Sequence, residues 1–333
     1  MIKLSVIIPT RNRAKLLAKT LMSIEQQTML KEEFEVIVID NGSTDETPKV
    51  LAEFSDRMNV QSIFEPQPGL HVGRHSGLFA AKANELVFID DDIEAFPIWL
   101  QTISNVFLSD KKIALVGGKN LPNYETPPPF WILELWNKGN SYGNVLEDLS
   151  VLDFGDNERE ISPYYVFGCN FSVRKEIILK AGGFHPDGFP FDKIRYRGDG
   201  ETHISDFVRD SNCIAYYHPG ASVKHWVPTD RMTEEYFCKR RYMQGISAAY
   251  SQLRSGNMLK GSNPDESSKF KRYIKSILGS TQIEMLNELS KTINKTDFER
   301  RLNRSYMLGK EYLLDCYRKD GSIRKWVHQN DYF

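Results

Sequence analysis

Three long runs of apolar residues near the start of the chain restrict its fold more than any other feature. They are KLSVIIPT (3–10), FEVIVID (34–40) and ELVFIDD (85–91). Strands that are apolar at consecutive positions, not only at alternate ones, are buried on both faces, which is typical of parallel sheets covered by helices. Segments with apolar residues at helical spacing, such as RAKLLAKTLMSIEQQT, lie between these runs. The alternation predicts an α/β fold with a doubly wound, mostly parallel sheet, in which ligands bind beyond the carboxyl ends of the strands.

The composition is that of a globular protein without a membrane span. The 333 residues have room for about two domains, and 41% of them are apolar, which is enough for a sizeable core. The four cysteines show neither metal-binding nor redox spacing, so we expect reduced thiols. The first apolar run is too short for a signal peptide, and no run approaches the roughly 18 apolar residues of a membrane helix. These features predict a cytoplasmic protein, and we expect no nucleic acid among its partners.

Charge and pattern divide the chain into a predicted α/β domain (1–230) and a predicted helical C-terminal region (231–333). The first part holds 23 Lys and Arg against 32 Asp and Glu, whereas the second holds 20 against 12. Within the first part, residues 121–162 are rich in proline and tryptophan and break the strand–helix rhythm. Regularity then returns, and CIAYYHPGASVKHW (213–226) is predicted as one strand.

The basic C-terminal region has three predicted helical segments and a small-polar linker. The helices are expected at 234–253, 267–278 and 296–318, with the linker at 256–268. Lys239, Arg240 and Arg241 lie beside an aromatic-bearing face of the first helix. This predicts either peripheral contact with the inner face of an anionic membrane or a homo-oligomer formed through these helices. A solvated helical face is the plainer alternative.

Three consecutive aspartates, Asp90, Asp91 and Asp92, follow the third apolar run. Alternate side chains of a strand share a face, so Asp90 and Asp92 are expected to project together into the binding crevice. Asp91 is expected to point away and to tolerate substitution best. Hard oxygen ligands suit Mn²⁺ or Mg²⁺, which take one or two carboxylates together with substrate phosphates. The alternative is an acidic turn that caps the next helix, but capping needs only one aspartate.

The sequence excludes the two commonest phosphate-binding motifs. The first strand-to-helix turn, PTRNR, contains no glycine, so a GxGxxG fingerprint and a P-loop are both absent. Asp40 ends the second strand, where it can accept hydrogen bonds from a base or ribose, or act only as a turn residue. Arg74 can approach a diphosphate, because a guanidinium matches phosphate oxygens, or it is simply solvated. Alone, neither residue decides between its two interpretations.

Taken in order, these segments resemble glycosyltransferase family 2. LSVIIPTRNR, VIVIDNGSTDET, LVFIDDD and FGCNFSVRKEIILKAGGF carry the resemblance, which runs over about residues 3 to 227. It implies a GT-A fold, a nucleotide-diphosphate-sugar donor, a divalent cation at a DxD motif, and transfer with inversion at the anomeric carbon. It thus implies an inverting glycosyltransferase whose acceptor is a glycan, a lipid-linked molecule or a protein, in the synthesis of a surface polysaccharide or glycoconjugate.

The resemblance also implies the residues of the site. The metal ligands would be Asp92 and His225, with His218 as the alternative histidine. Donor-binding positions are Pro9, Thr10, Arg11, Arg13, Asp40, Asn41, Arg74, Asp90, Asp91, Gly168 and Asn170. Without the resemblance, a lone histidine is more often structural than a ligand.

The resemblance also implies where the catalytic base lies. The family usually supplies the base from a Glu-Asp pair at the start of a helix after the GGF segment. This chain has RGDGETHI there, and aligning the threonine puts Glu201 on the base position and Gly200 where the family has Glu. Asp199 is the rival base. Both carboxylates could instead cap the helix.

Two other functions and one further feature stay open at this stage. A nucleotidyltransferase on a similar sheet is disfavoured because its glycine-rich basic loop is absent from PTRNRAKLL. A non-catalytic binding protein stays open because GDGE departs from the family pattern.

Five aromatic residues are expected either to stack on a sugar ring or to fill the core of an inserted subdomain. They are Tyr124, Phe130, Trp131, Trp136 and Tyr142.

Overall fold

The computed structural model describes residues 1–189, 191–255 and 297–333. Its contacts divide the chain into two compact units, Met1–Tyr236 with Gln329–Phe333, and Phe237–His328. The sequence placed a boundary after residue 230 and did not anticipate that the final segment packs with the first unit. The predicted linker (256–268) and the predicted helix at 267–278 lie outside the described residues.

Strands and helices alternate through the first unit. The described strands are β1 (Leu4–Thr10), β2 (Phe34–Asp40), β3 (Val60–Phe64), β4 (Glu85–Ile89), β5 (Ile93–Ala95), β6 (Ile113–Gly117), β7 (Asn120–Tyr124), β8 (Asn144–Leu146), β9 (Val151–Asp153), β10 (Arg159–Ile161), β11 (Asn170–Arg174), β12 (Ile214–Tyr217) and β13 (Val223–Val227). The helices are α1 (Ala14–Glu25), α2 (Thr47–Ser55), α3 (Leu70–Ala80), α4 (Trp99–Ser109), α5 (Phe130–Lys138), α6 (Lys175–Ala181) and α7 (Thr202–Asp210).

A sheet of eight strands forms the centre of this unit, in the order β10-β12-β6-β11-β4-β1-β2-β3. The block β4-β1-β2-β3 is parallel throughout, and β12 and β6 are also parallel. Strand β11 runs antiparallel to both of its neighbours. The predicted α/β fold with a mostly parallel sheet is therefore confirmed.

Burial on both faces explains why the first strands are apolar at nearly every position. All seven residues of β1 and all seven of β2 are buried. Val6 and Ile8 pack with α1 on one face, whereas Ile7 packs with Leu78 of α3 on the other. Since neither face of these strands is solvated, polar residues do not recur at alternate positions. The interior polar pair, Ser5 and Glu35, is buried, and the Ser5 hydroxyl donates to Glu35 at 2.7 Å.

A second sheet contains the segment that the sequence predicted as irregular. Its order is β5-β13-β7-β9-β8. Residues 121–162 supply β8, β9 and all of β7 except its first residue, Asn120. The predicted single strand at 213–226 is wrong, because it is two strands in different sheets. A turn separates them, in which the Ala221 N–H donates to the His218 carbonyl at 2.9 Å. This turn carries the chain from β12 in the large sheet to β13 in the small one.

Helix α3 lies unusually close to the large sheet because two glycines face the strands. A Cβ on Gly77 would lie 2.3 Å from Ile7 Cγ2 and 2.9 Å from Ile39 Cδ1. A Cβ on Gly73 would lie 3.2 Å from Pro9 Cβ, which is much less tight. The close approach fixes the depth at which α3 holds Arg74.

We expect Gly77→Ala to lower the free energy of unfolding by about 1–3 kcal/mol, because the methyl group overpacks the interface with the sheet. The gain in helix propensity, about 1 kcal/mol, offsets only part of this. Urea unfolding measures the difference. Gly73→Ala is the matched control on the same helix and should be nearly neutral. Equal stability of the two variants would contradict the close approach of α3.

The segment Gln329–Phe333 packs on α3 and on the chain after α6. The Phe333 ring lies 4.9 Å from that of His75 and 5.3 Å from that of Phe79, between ring centroids. Burial, reinforced by His71, lowers the pKa of His75 to about 4, so its ring is neutral. Its Nε2 accepts the N–H of Phe184 at 2.8 Å. The segment thus covers one side of the region from which Arg74 projects.

In the second unit, α8 (Glu234–Arg254) from Phe237 onward packs with α9 (Asp297–Lys319) and α10 (Gly321–Val327). Two glycines let α8 and α9 touch. A Cβ on Gly245 would lie 2.0 Å from the Tyr306 carbonyl oxygen, and one on Gly309 would lie 1.9 Å from that of Tyr242. Within the described ranges, no helix is both long and apolar enough to cross a membrane. Membrane contact or self-association through these helices stays a prediction.

Candidate active site

The aspartates follow directly on β4, a central strand of the large sheet, and two of them join a histidine from the small sheet. Asp90, Asp92 and His225 each offer one ligand atom, and these three atoms lie within 4.8 Å of one another. The backbone sets this pairing, because the Trp226 N–H donates to the Asp92 carbonyl at 2.9 Å. Strand β13 therefore brings His225 to the carboxyl end of β4.

The hydrogen bonds of His225 leave one ring nitrogen for a ligand. Nδ1 lies 3.0 Å from the Leu149 carbonyl oxygen, and because a carbonyl only accepts, Nδ1 carries the proton. Nε2 lies 3.4 Å from Asp92 Oδ1, a buried oxygen that has no hydrogen-bond partner among the described residues. A proton or a metal ion between these two atoms would remove the repulsion between their lone pairs. The donor set fits a divalent cation.

The structure separates the two candidate histidines. His218 Nε2 lies 3.3 Å from Glu158 Oε2, and its Nδ1 accepts the Gly220 N–H at 2.9 Å. It therefore helps to form the turn between β12 and β13. His225, not His218, lies in the cluster with Asp92.

Asp92 is the most strongly paired of the three aspartates. Its side chain is 1% exposed, and its Oδ2 lies 2.7 Å from Arg13 Nη2 and 3.6 Å from Arg231 Nη2. Burial acts to raise the pKa of this carboxyl, but His225, Arg13 and Arg231 together outweigh it, so the pKa falls below its usual range. Asp92 is accordingly a carboxylate, the form that binds a metal ion.

Asp91 lies outside the cluster, in the turn that follows β4, but it is not free to vary. Its Oδ2 accepts the Thr10 hydroxyl at 2.7 Å, and its Oδ1 pairs with Arg13. Burial raises its pKa to about 7, against the attraction of Arg13. A buried carboxyl with two partners is costly to replace, which corrects the expectation that Asp91 tolerates substitution best.

A cavity of about 540 Å³ opens beside the cluster. Seven of its lining residues are predicted donor-binding residues, namely Pro9, Thr10, Arg11, Arg13, Asn41, Asp90 and Asp91. Arg231, which the sequence did not single out, also lines it. The sequence gave no local signal for Arg231, because it stands at the start of the basic C-terminal region among several similar residues.

Asp40 and Asn41 lie where β2 ends. Asp40 is paired in parallel register with Thr10, and its Oδ1 accepts the Ser43 N–H at 2.7 Å. It lines a separate cavity of about 350 Å³ between α2 and β3. The side-chain amide of Asn41 donates to the carbonyls of Glu65 and Gln67, at 2.9 and 2.6 Å. Asn41 thus holds the chain after β3 against the main cavity.

Arg74, Gly168 and Glu201 meet on the other side of the aspartates. Arg74 Nη1 lies 3.1 Å from Glu201 Oε2, and its Nη2 donates to the Gly168 carbonyl at 3.4 Å. Burial opposes the charge of Arg74, but Glu201, Asp90 and Asp187 raise the pKa of its guanidinium. A Cβ on Gly168 would lie 2.5 Å from Arg74 Nη2 and 2.7 Å from Glu201 Oε1, so a larger residue there would displace the ends of both side chains.

The rival bases have different surroundings. The side chain of Asp199 is 6% exposed, and its Oδ1 lies 2.6 Å from His185 Nδ1. The His185 ring stacks on that of His203, with centroids 3.6 Å apart. Gly200, in the left-handed region at φ +58°, separates Asp199 from Glu201. The structure therefore brings Glu201 to Arg74 and holds Asp199 within the packing beside α7.

Asn170 does not reach either cavity. Its Oδ1 accepts the Trp99 indole N–H at 3.0 Å. Its amide donates to Asn120 Oδ1 and to the Ala221 carbonyl, at 3.1 and 2.9 Å. These bonds join β11 to the turn before β13, so Asn170 supports the site only through its packing.

The predicted aromatic set is divided. Tyr142 packs on Phe154 and Tyr165, with centroids 5.4 and 5.6 Å apart, which matches the core-packing alternative. Phe130, on α5, is exposed. No single role fits all five residues.

An α/β sheet of this order, with carboxylates and a histidine after a central strand and arginines in the adjoining cavity, is a GT-A-type architecture with its candidate site beyond the carboxyl ends of the strands. The model of the family described as "Glycosyl transferase family 2" matches residues 5–178, more than half of the chain. The chain belongs to glycosyltransferase family 2.

Two curated relatives and one solved structure show the extent of the similarity. The chain is 41% identical over 102 residues to validoxylamine A glucosyltransferase of Streptomyces hygroscopicus subsp. jinggangensis, over 30% of this chain and 24% of the relative. It is 36% identical over 118 residues to chondroitin synthase of Escherichia coli, over 35% of this chain and 17% of the relative. The alignments thus span a quarter or less of either relative.

The solved structure is a mannosyltransferase from Pyrobaculum calidifontis in complex with GDP-Man and Mn²⁺. It superposes with a TM-score of 0.58 at 18% identity, covering 96% of this chain and 88% of that one. At this identity the likeness shows the fold, which is GT-A.

Proposed function

We propose that the protein is an inverting glycosyltransferase, which moves a sugar from a nucleotide-diphosphate donor to a hydroxyl group of an acceptor. The observation that carries the proposal is the buried Oδ1 of Asp92, which has no hydrogen-bond partner among the described residues and faces His225 Nε2 beside Asp90. This cluster adjoins a cavity lined by Arg11, Arg13 and Arg231. Carboxylates for a cation and guanidinium groups for phosphates are what a nucleotide diphosphate with its metal ion requires.

Asp92, Asp90 and His225 would hold Mn²⁺ or Mg²⁺. The fit rests on their ligand atoms, which lie within 4.8 Å of one another, and on the tautomer that Leu149 imposes on His225. When bound, such an ion stabilises the negative charge of the departing diphosphate, so that no general acid is needed. The Mn²⁺ in the mannosyltransferase complex supports this assignment.

Glu201 would act as the general base. The acceptor oxygen attacks the anomeric carbon, the bond from that carbon to the diphosphate oxygen breaks, and the diphosphate leaves with the electron pair. The proton of the acceptor hydroxyl passes to Glu201, for which the carboxylate must lie within hydrogen-bond distance of that hydroxyl. Arg74, at 3.1 Å, orients Glu201, and the missing side chain of Gly168 leaves space for both.

The proposed acceptor is a glycan, a lipid-linked molecule or a protein, in the synthesis of a surface polysaccharide or glycoconjugate. Support comes from the chondroitin synthase among the relatives, a protein named for making a polysaccharide. The basic α8, with Lys239 exposed, suits a peripheral position at an anionic membrane surface.

A thermal-shift screen tests donor and cation together. We expect one of UDP, GDP, dTDP and CDP, at a hundredfold excess over its Kd and with Mn²⁺, to stabilise the protein by about 2.7 kcal/mol. This corresponds to a rise in Tm of roughly 5–10 °C for a unit of this size. The matching nucleoside monophosphates and excess chelator are the controls. If no diphosphate raises Tm in the presence of either Mn²⁺ or Mg²⁺, the proposed function is refuted.

A further inference from the structure

The carboxylates of the cluster already have cationic partners within the chain. Asp92 Oδ2 faces two guanidinium groups, Arg13 at 2.7 Å and Arg231 at 3.6 Å. Arg13 also pairs with Asp91. A divalent cation that binds beside Asp92 therefore meets two positive charges at close range, and like charges in a partly buried site repel strongly.

Both guanidinium groups also face the main cavity. Arg13 and Arg231 are among its lining residues, together with Arg11. Their side chains are 31% and 26% exposed, whereas that of Asp92 is 1% exposed. Each arginine thus contacts a buried carboxylate and is also open to solvent. Its guanidinium group can bind a phosphate in the cavity without a change in the fold.

We propose that Arg13 and Arg231 are exchange residues: they pair with the aspartates when no cation is bound, and they turn to the diphosphate of the donor when one is. The proposal rests on the proposed function, since it needs a diphosphate ligand. Arg231 is the better-isolated of the two, because its one ion pair among the described residues is with Asp92. It stands on the short 3-10 turn Thr229–Arg231 after β13, outside the motifs that carry the family resemblance.

An exchange residue has effects of opposite sign on two ligands. With Arg231 removed, Asp92 loses a competing cation, so Mn²⁺ alone should bind more tightly. The same change removes a guanidinium from the diphosphate, so UDP or GDP should bind more weakly at saturating Mn²⁺. A residue with only a structural role would weaken both.

The test compares Arg231→Gln and Arg13→Gln with the wild type and with Arg11→Gln. Arg11 is the matched control, because it lines the same cavity but makes no ion pair within the part of the chain that the structure describes. The affinity for Mn²⁺ alone is measured from the paramagnetic resonance signal of the free ion. The affinities for UDP and GDP at saturating Mn²⁺ are measured by calorimetry, and thermal unfolding confirms that each variant is folded.

For Arg231→Gln we expect about tenfold tighter Mn²⁺ binding and about tenfold weaker binding of the nucleoside diphosphate. Arg11→Gln should weaken the diphosphate only and leave the affinity for Mn²⁺ within about twofold. Unchanged or weaker Mn²⁺ binding by both Arg231→Gln and Arg13→Gln, while the wild type binds a nucleoside diphosphate, overturns the exchange. Absence of diphosphate binding by the wild type overturns the proposed function instead.

Discussion

Replacing Glu201 by glutamine is expected to lower kcat for sugar transfer by about 10²–10⁴-fold, the usual contribution of a positioned general base. Glutamine keeps the size of the side chain and can still accept a hydrogen bond from Arg74, whose Nη1 lies 3.1 Å from Oε2 of the native Glu201. It cannot take the proton of the acceptor. The proposed donor and cation sites lie on the other side of Asp90, so we expect their affinities to change little. Steady-state transfer rates and calorimetric binding of the nucleoside diphosphate measure the two effects separately.

Asp199→Asn is the control for this substitution, two positions away and with the same change of charge. Asp199 bonds to the buried His185, whose ring stacks on that of His203, so we expect this variant to lose stability and to retain most of kcat at a temperature at which it is folded. If Asp199→Asn lost transfer and Glu201→Gln retained it, the assignment of the base would be reversed.

Replacing Asp92 by asparagine is expected to lower transfer by about 10³-fold or more. A bound metal ion stabilises the transition state by several kcal/mol, and each 1.4 kcal/mol is a factor of about ten in rate. The variant should also lose the rise in Tm that Mn²⁺ and a nucleoside diphosphate together give the wild type. This second measurement reports on binding, and it holds even when the acceptor is unknown.

Asp91→Asn is the control for the metal assignment. Asp91 is a buried neighbour of the same chemistry, but its oxygens bond to Thr10 and Arg13 and it lies outside the candidate metal-binding group. We expect it to lower the free energy of unfolding while transfer remains dependent on Mn²⁺. Equal loss of metal-dependent stabilisation in both variants would show that the triplet acts as a whole and not through Asp92.

The sequence predicted the parallel half of the sheet well, because each of its strands can be recognised from its own run of apolar residues. The run FEVIVID coincides with β2, and β1 begins one residue after the start of its predicted run. Burial on both faces forces apolar residues at consecutive positions, and this signal requires no knowledge of distant parts of the chain. The same logic expected Asp90 and Asp92 on one side and Asp91 on the other, but all three follow the end of β4 and lie outside the strand. Asp90 and Asp92 do join His225, yet it is Asp91 that lines the cavity with Asp90.

The parts that the sequence did not predict depend on contacts between distant residues. Nothing in CIAYYHPGASVKHW distinguishes one strand from two in different sheets, since the separation depends on how β12 and β13 pair with β6 and β7. Similarly, Asp199 and Glu201 differ only in what lies opposite them, which is His185 for one and Arg74 for the other. Arg231 pairs with Asp92, more than a hundred positions earlier in the chain. The residues around Arg231 contain no pattern that signals this pairing.

The first unit is discontinuous, and this has a consequence for its synthesis. Tyr332 packs on His185, with ring centroids 5.3 Å apart, and Phe333 packs on α3, yet residues 237–328 precede both in the chain. At a translation rate of about 5–20 residues per second, the ribosome needs on the order of ten seconds to make that intervening stretch. During this interval the nascent first unit exposes the ring of His75, and Phe79, which is 59% exposed even in the complete structure, lacks its contact with Phe333. A chaperone that binds apolar surfaces on nascent chains would therefore meet this protein with its large sheet formed and the cover over His75 still missing.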